Sequence, residues 1–295
     1  MKNRFFILII LLIPFQLFSA EREHFYNMSN KQIDSLLSEL NLKTFTITEK
    51  MDMLSAYFLG TPYNFKCVGD GPYALLEDYP LVNFKETNCM ALCEHVLALS
   101  ISDSWDNFFN NLMHIRYKDG LIGMKTRNHY TMADWLPQNS WLLDDVSAKV
   151  GGKYTQKMTR TISHKKFFAA KGITNMDYVA DNRTITIDYV PLQYLDEVEA
   201  KLKQGDILTL LFANKKNIFA AHMVMFVNGD GNNKIREATT RGMTTIDTPY
   251  KDWVKNKQEK SSHRYAGVAV IRVNEKLDYN GEIIYPGDIY KMKSK

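Results

Sequence analysis

The chain has no large excess of charge of either sign. Its formal net charge is +4 over 295 residues, and no basic stripe interleaved with aromatic residues occurs, so nucleic acid is excluded as an expected partner. Cysteine is scarce, limited to Cys67, Cys89 and Cys93. An odd count is too small for a disulfide framework and leaves at least one thiol over. Cys67 and Cys93 could bridge and leave Cys89 free; spacing alone does not decide this. Cys89 and Cys93 are close enough to share a zinc, but no second Cys or His pair follows at ligand spacing, so neither metal nor cofactor is expected. No cysteine precedes Cys67, which argues against lipoprotein processing near the start. Internal repeats and low-complexity linkers are also lacking.

One apolar run stands out, at the beginning. Met1-Lys2-Asn3-Arg4 is basic, Phe5 to Phe18 is almost wholly apolar, and Ser19-Ala20 supplies small residues ahead of Glu21-Arg22-Glu23. Basic, apolar and small segments in that order predict a signal peptide over residues 1–20. The run falls short of the roughly 20 apolar residues that span a bilayer, and Pro14 and Gln16 interrupt it, so no stable membrane anchor is expected. The expected location is periplasmic or secreted. Cleavage would remove Lys2 and Arg4 and leave a net charge of about +2. Residues 21–295 are enough for one domain with a filled core and a helical N-terminal elaboration.

The early part of the chain has helical texture. Ser29 with Gln32 forms a capping-box pattern ahead of Ile33, Leu36, Leu37 and Leu40. A second helix is predicted from about Thr48 to Gly60, a third from about Asn88, and a fourth after Asp103-Ser104. From about Tyr178 the texture becomes extended: 184–190 alternates, 207–212 and 221–227 are apolar runs, Gly229-Asp230-Gly231 turns the chain into 234–239, and 265–273 closes the series. Helices followed by an antiparallel sheet predict an α+β fold. The charged stretch from Lys251 to Lys260, with Trp253 its one large apolar side chain, reads as a solvated loop.

Two features carry chemistry. Cys89 falls in the first turn of the third helix, where Thr87 or Asn88 can cap the exposed N–H groups. The positive helix end favours a thiolate there, and an N–H of the same turn can donate to a developing oxyanion. Cys93 lies one turn deeper among Leu92, Val96 and Leu97 and reads as inert core. The second feature is His222, inside the apolar strand 221–226. Alone it would pass as an ordinary core histidine. A two-residue Gly229-Asp230 turn, however, would place Glu237 directly opposite it, able to accept the Nδ1 proton and leave Nε2 for the thiol. A structural ion pair of Glu237 with Arg236 or Arg241 is the competing arrangement. His24, His95, His114, His164 and His263 are given no role.

The order of thiol-bearing helix and histidine-bearing sheet resembles papain-like enzymes. More fully, residues 48–272 resemble NlpC-type cysteine hydrolases of the N-acetylmuramoyl-L-alanine amidase-like branch. Leu59-Gly60-Thr61-Pro62-Tyr63, Asn88-Cys89-Met90-Ala91-Leu92-Cys93-Glu94, Arg127-Asn128-His129-Tyr130 with Asp134-Trp135, Gly205-Asp206-Ile207 and Ala221-His222 carry the likeness. Asn88, Ala91 and Glu237 stand where the branch or its clan has Asp, Thr and a polar His, Asn or Gln. The resemblance implies a papain-like (NlpC-type) fold, with N-terminal helices packed on an antiparallel sheet. It further implies Cys89 as nucleophile, His222 as base and Glu237 in the third position. Tyr63, Arg127, His129, Tyr130 and Trp135 would serve substrate or oxyanion binding, and the substrate would be peptidoglycan fragments. The implied cut is the N-acetylmuramoyl-L-alanine amide. The rival functions are an endopeptidase acting within the stem peptide and an inactive wall-binding protein.

Overall fold

The computed structural model describes residues 23–41 and 43–294; the predicted signal peptide lies outside them. The first helices start at polar caps. Ser29 and Gln32 exchange the bonds of a capping box ahead of α1 (Asn30–Asn41). Thr46 and Glu49 do the same at α2 (Ile47–Ala56), which begins one residue earlier and ends four residues sooner than the apolar spacing suggested. Asn88 caps α3 (Cys89–Ser100) and Ser104 caps α4 (Trp105–Arg116). Helix α3 packs on both α2 and α4 and is apolar almost all round, as a central helix must be.

The strands are β1 (Leu143–Asp145), β2 (Gln156–Ile162), β3 (Arg183–Pro191), β4 (Ile207–Phe212), β5 (Ala220–Val227), β6 (Lys234–Thr239), β7 (Thr244–Pro249) and β8 (Tyr265–Val273). They pair antiparallel in the order β2-β3-β8-β4-β5-β6-β7, with β1 added to β8. The chain is therefore α+β, helices on an antiparallel sheet. The polar, threonine-rich β2 and β7 and the three-residue β1 lacked the apolar pattern or turn position that revealed the other strands.

Both faces of the central strands are buried. Ile207, Leu211, Met225, Ala269 and Ile271 face the α1–α4 layer, while Leu208, Leu210, Val224, Val268 and Val270 face a second layer with Tyr250, Trp253 and Val254. This explains why β4 and β8 read as continuous apolar runs instead of alternating. The second layer corrects one expectation: residues Tyr250–Ser261 form a helix, with Tyr250, Trp253 and Val254 turned inward. Three inward anchors among nine charged or polar neighbours gave too weak a stripe to signal it. Among the described residues no helix is long and apolar enough to cross a membrane.

A candidate thiol–imidazole–carboxylate site

Helix α3 begins at Cys89. Asn88 adopts extended backbone angles and its Oδ1 accepts the Ala91 N–H at 2.8 Å, while its Nδ2 donates to the Phe65 carbonyl at 3.0 Å. The cap thus orients the helix start and ties it to the 61–65 segment. Tyr63 in that segment bonds through its N–H to Met243 O and bridges Thr87, which holds its ring near the thiol. Cys67 and Cys93 are buried and free; Cys67 packs with Val68 and Ala91, whereas Cys93 belongs to the main core. The considered Cys67–Cys93 bridge is not formed.

The β5–β6 connection differs from the expected turn. Val227 pairs with Lys234, so six residues, 228–233, link the strands, and pairing ends at Met225–Arg236. Past that point β5 continues to Ala220 and β6 to Thr239, and α3 packs against both. Leu210 pairs with His222 but Leu211 with Ala220, leaving Ala221 as the extra residue of a bulge beside the histidine. Bulges bend a strand and re-aim its side chains. Glu237, one residue beyond the last β5–β6 pair, meets His222 with its Oε2 2.7 Å from Nε2. The expected ring orientation is therefore reversed: Nε2 is held by the carboxylate, and Nδ1 is the nitrogen left for Cys89. The rival partner of Glu237 is engaged elsewhere, since Arg236 makes two 2.7 Å bonds to Asp247 and another to Ser55.

The electrostatics are coupled. Burial acts to raise the Cys89 pKa, but the charge of His222 and a hydrogen bond to its ring oppose this. With the Met223 and Met90 N–H groups added, they hold the thiol below its ordinary value. For His222 burial again disfavours charge, and Cys89 and then Glu237 overcome it, raising the imidazole to about 9. Glu237 lies below its ordinary value because its bond to His222 and that ring's charge outweigh burial, with Lys257 adding to them. The favoured state near neutrality is thiolate beside imidazolium. Cys67, by contrast, is pushed up to about 12 by burial, and Cys93 is raised well above a normal thiol for the same reason.

The remaining expected residues are placed differently. Arg127 donates to Glu77 at 2.8 Å and lies 3.5 Å from Asp70; it is one member of a cluster that also takes in Lys171. His129 donates to or accepts from no charged group: its Nε2 meets Met124 O at 2.7 Å, and burial lowers it to about 4, a neutral ring against Phe167. Tyr130 is half-buried against His164 and Phe167. Trp135 has no exposed surface and is core, which removes it from any binding face; its indole was drawn inward by the helical turn 131–135. No described bond joins these four to Cys89, His222 or Glu237. Glu94, which carried part of the motif, pairs with buried Arg116 at 2.7 Å between α3 and α4. Two residues near the site went unseen in the sequence. Tyr265 feels the charges of both Glu237 and Cys89, and Lys257 lies over the Trp253 and Tyr265 rings. The four-residue spacing of Trp253 and Lys257 was the available clue, had the segment been read as a helix.

Fold and site together define an α+β chain whose helix-start thiol faces a carboxylate-bound imidazole. The AmiA-like family, described as N-acetylmuramoyl-L-alanine amidase-like, matches residues 53–261, and the chain belongs to it. Among solved structures it is similar to a DUF1460 protein of Legionella pneumophila, with 20% identity and a TM-score of 0.73 over 83% of this chain and 94% of that one. It is also similar to an N-acetylmuramoyl-L-alanine amidase of Bacteroides uniformis, at 23% identity and a TM-score of 0.61 over 78% and 99% of the two chains. A putative xylanase of Bacteroides fragilis shares the fold at 22% identity and a TM-score of 0.56, covering 74% and 98%. Likeness at these identities concerns the fold. A search of curated proteins gives no match.

Proposed function

We propose that the chain is an exported, papain-like (NlpC-type) cysteine amidase that hydrolyses the N-acetylmuramoyl-L-alanine bond of peptidoglycan fragments. The observation that carries this reading is Cys89 at the first position of α3, beside an imidazole whose other nitrogen is 2.7 Å from Glu237. Family membership supports the substrate class.

In the proposed reaction the Cys89 thiolate attacks the amide carbonyl and forms a tetrahedral oxyanion. The Cys89 N–H and the Tyr63 hydroxyl are engaged in no described hydrogen bond and stand beside the sulfur, suited to receive that charge. His222, protonated in the resting pair, gives its proton to the leaving nitrogen as the C–N bond breaks. The peptide departs as an amine and the acyl group remains as a thioester. Water then attacks; His222 takes its proton, and the C–S bond breaks to release the acid and regenerate the thiolate. Glu237 keeps the ring oriented through both steps. The departures from the family pattern are compatible with this chemistry. Asn88 performs the capping, and Ala91 is a small buried residue under Cys67 and Val68, where a hydroxyl would need a partner.

Incubating the purified protein with a defined disaccharide-peptide and weighing the products tests the proposal. Release of a peptide with a free L-alanine amine supports it. A cut after the D-isoglutamyl residue would assign the endopeptidase activity instead, and unchanged substrate would leave a wall-binding role.

A further inference from the structure

The buried arginines among the described residues have carboxylates at contact distance. Arg116 has Glu94, Arg272 has Asp206 and Arg236 has Asp247, all within 2.7 Å. Three cations near the candidate site, the half-buried Lys257 and the exposed Arg241 and Arg264, have no such partner. Arg241 sits in the turn between β6 and β7, the same turn whose Met243 carbonyl accepts the Tyr63 N–H. Lys257 is on the helix Tyr250–Ser261, its ammonium 5.1 Å from the Trp253 ring centre and 6.0 Å from that of Tyr265. Arg264 leads into β8, its guanidinium 5.2 Å from the centre of the same Tyr265 ring. None of the three is within ion-pairing distance of a carboxylate among the described residues.

They act on one another. Burial and the charges of Arg241 and Arg264 all work against the Lys257 ammonium, and the carboxylate favouring it is Glu237, which His222 already holds. Tyr265, in turn, feels Arg264, Glu237 and Cys89, so Lys257 and Arg264 share a ring that borders the thiol, and Arg241 is near enough to act on Lys257. Lys257, half-withdrawn from water, without a carboxylate at contact and flanked by two exposed like charges from separate elements, leaves a positive potential that favours binding of an anion.

The substrate of the proposed reaction has its negative charge on one side only. The lactyl carboxyl of the muramoyl sugar is consumed in the scissile amide, so the neutral sugar side offers no carboxylate. The stem peptide, linked through the side chain of its D-glutamyl residue, keeps free carboxylates. We propose that Arg241, Lys257 and Arg264 form the subsite for the stem-peptide carboxylates, on the side of the thiol from which the amine leaves. This rests on the amidase reading for the identity of the anion. It assigns the peptide to the Tyr265 side and leaves the Tyr63–Phe65 side, where Phe65 is 77% exposed, for the sugar.

The test separates binding from chemistry. The full mature chain carrying Cys89→Ser is titrated calorimetrically with the stem tetrapeptide, and with the same peptide having every carboxyl amidated. The free carboxylates should tighten binding about tenfold or more, as charge-assisted bonds do. Raising the salt should erode that preference. The double variant Arg241→Gln/Arg264→Gln, both exposed positions, should abolish it; Lys257→Met, which keeps the stem packed on Trp253, should reduce it. Equal affinity for the two peptides, no binding of either, or a preference untouched by the double variant overturns the subsite. Preferential binding combined with no hydrolysis by the wild-type chain would sustain the subsite and sink the amidase reading. Hydrolysis without discrimination would do the reverse.

Discussion

Two histidine–carboxylate pairs of this protein have the same closest distance and different surroundings. His222 meets Glu237 at 2.7 Å, and His164 meets Asp134 at 2.7 Å. Around His164, Asp134 also accepts from Arg183 at 2.6 Å and from the Tyr130 N–H at 3.1 Å, and the Nδ1 of the ring is buried without a partner. Tyr130 and Phe168 close on the ring. The pair therefore joins the 131–135 turn to the start of helix His164–Ala170 and to β3. Around His222, the second ring nitrogen is left for a thiol that a helix end and two N–H groups help to ionise. A carboxylate orients an imidazole equally well in either place; an acceptor or nucleophile at the far nitrogen is what separates a candidate catalytic base from a structural tie.

The sharpest way to break this comparison is to remove the thiol. Cys89→Ala should lower hydrolysis of the disaccharide-peptide by at least about 10⁴-fold, the scale of losing a covalent nucleophile. Appreciable turnover by that variant would refute the mechanism. Altering the oriented side comes next. Glu237→Gln should reduce kcat by about 10- to 100-fold, as loss of an orienting partner does. The ionised pair exists between the depressed Cys89 value and the raised His222 value, so wild-type activity should rise from acid pH and fall as the imidazolium loses its proton near 9. Because Glu237 helps to raise His222, the falling limb should move to lower pH in Glu237→Gln; a limb that stays put would remove Glu237 from the site.

Smaller effects sharpen the contrast. In the folded protein an alkylating reagent should modify Cys89 rapidly below neutral pH and spare Cys67 and Cys93, as peptide mapping would reveal. Labelling of all three at similar rates would contradict the electrostatic account. Asp134→Asn should leave kcat within about threefold and cost about 1–3 kcal/mol of stability through its lost bonds to His164 and Arg183, measured by denaturant unfolding. A large fall in kcat with stability preserved would mean that the second pair reaches the chemistry after all.

Local signals were the ones readable in advance. The Ser29–Gln32 capping box, the start of α3 at Cys89 and the apolar runs of β4, β5 and β8 depend on neighbours a few residues apart, so sequence spacing carried them. The helix at Tyr250 was hidden because its exposed face is crowded with lysines, and β2 because only Met158 and Ile162 turn inward while Thr159 and Thr161 bond across to Thr186 and Thr184 of β3. Trp135 illustrates the opposite error: an aromatic in a motif-like segment suggested a surface, while its size made it core.

From the amino-acid order alone came the helix-start position of the thiol, the separation of Cys89 from Cys93 by one turn, and the shared face of His222 and Glu237 on neighbouring strands, though not their register, since the pairing puts Glu237 one residue past Arg236 and not directly across from His222. Tertiary structure alone decided which ring nitrogen the carboxylate holds, how the unpaired ends of β5 and β6 receive α3, and that Lys257 and Arg264 meet at one tyrosine ring. The reason is range: capping and periodicity act over a single turn or strand step, whereas ring orientation and charge clustering depend on bulges, loop lengths and elements far apart along the chain.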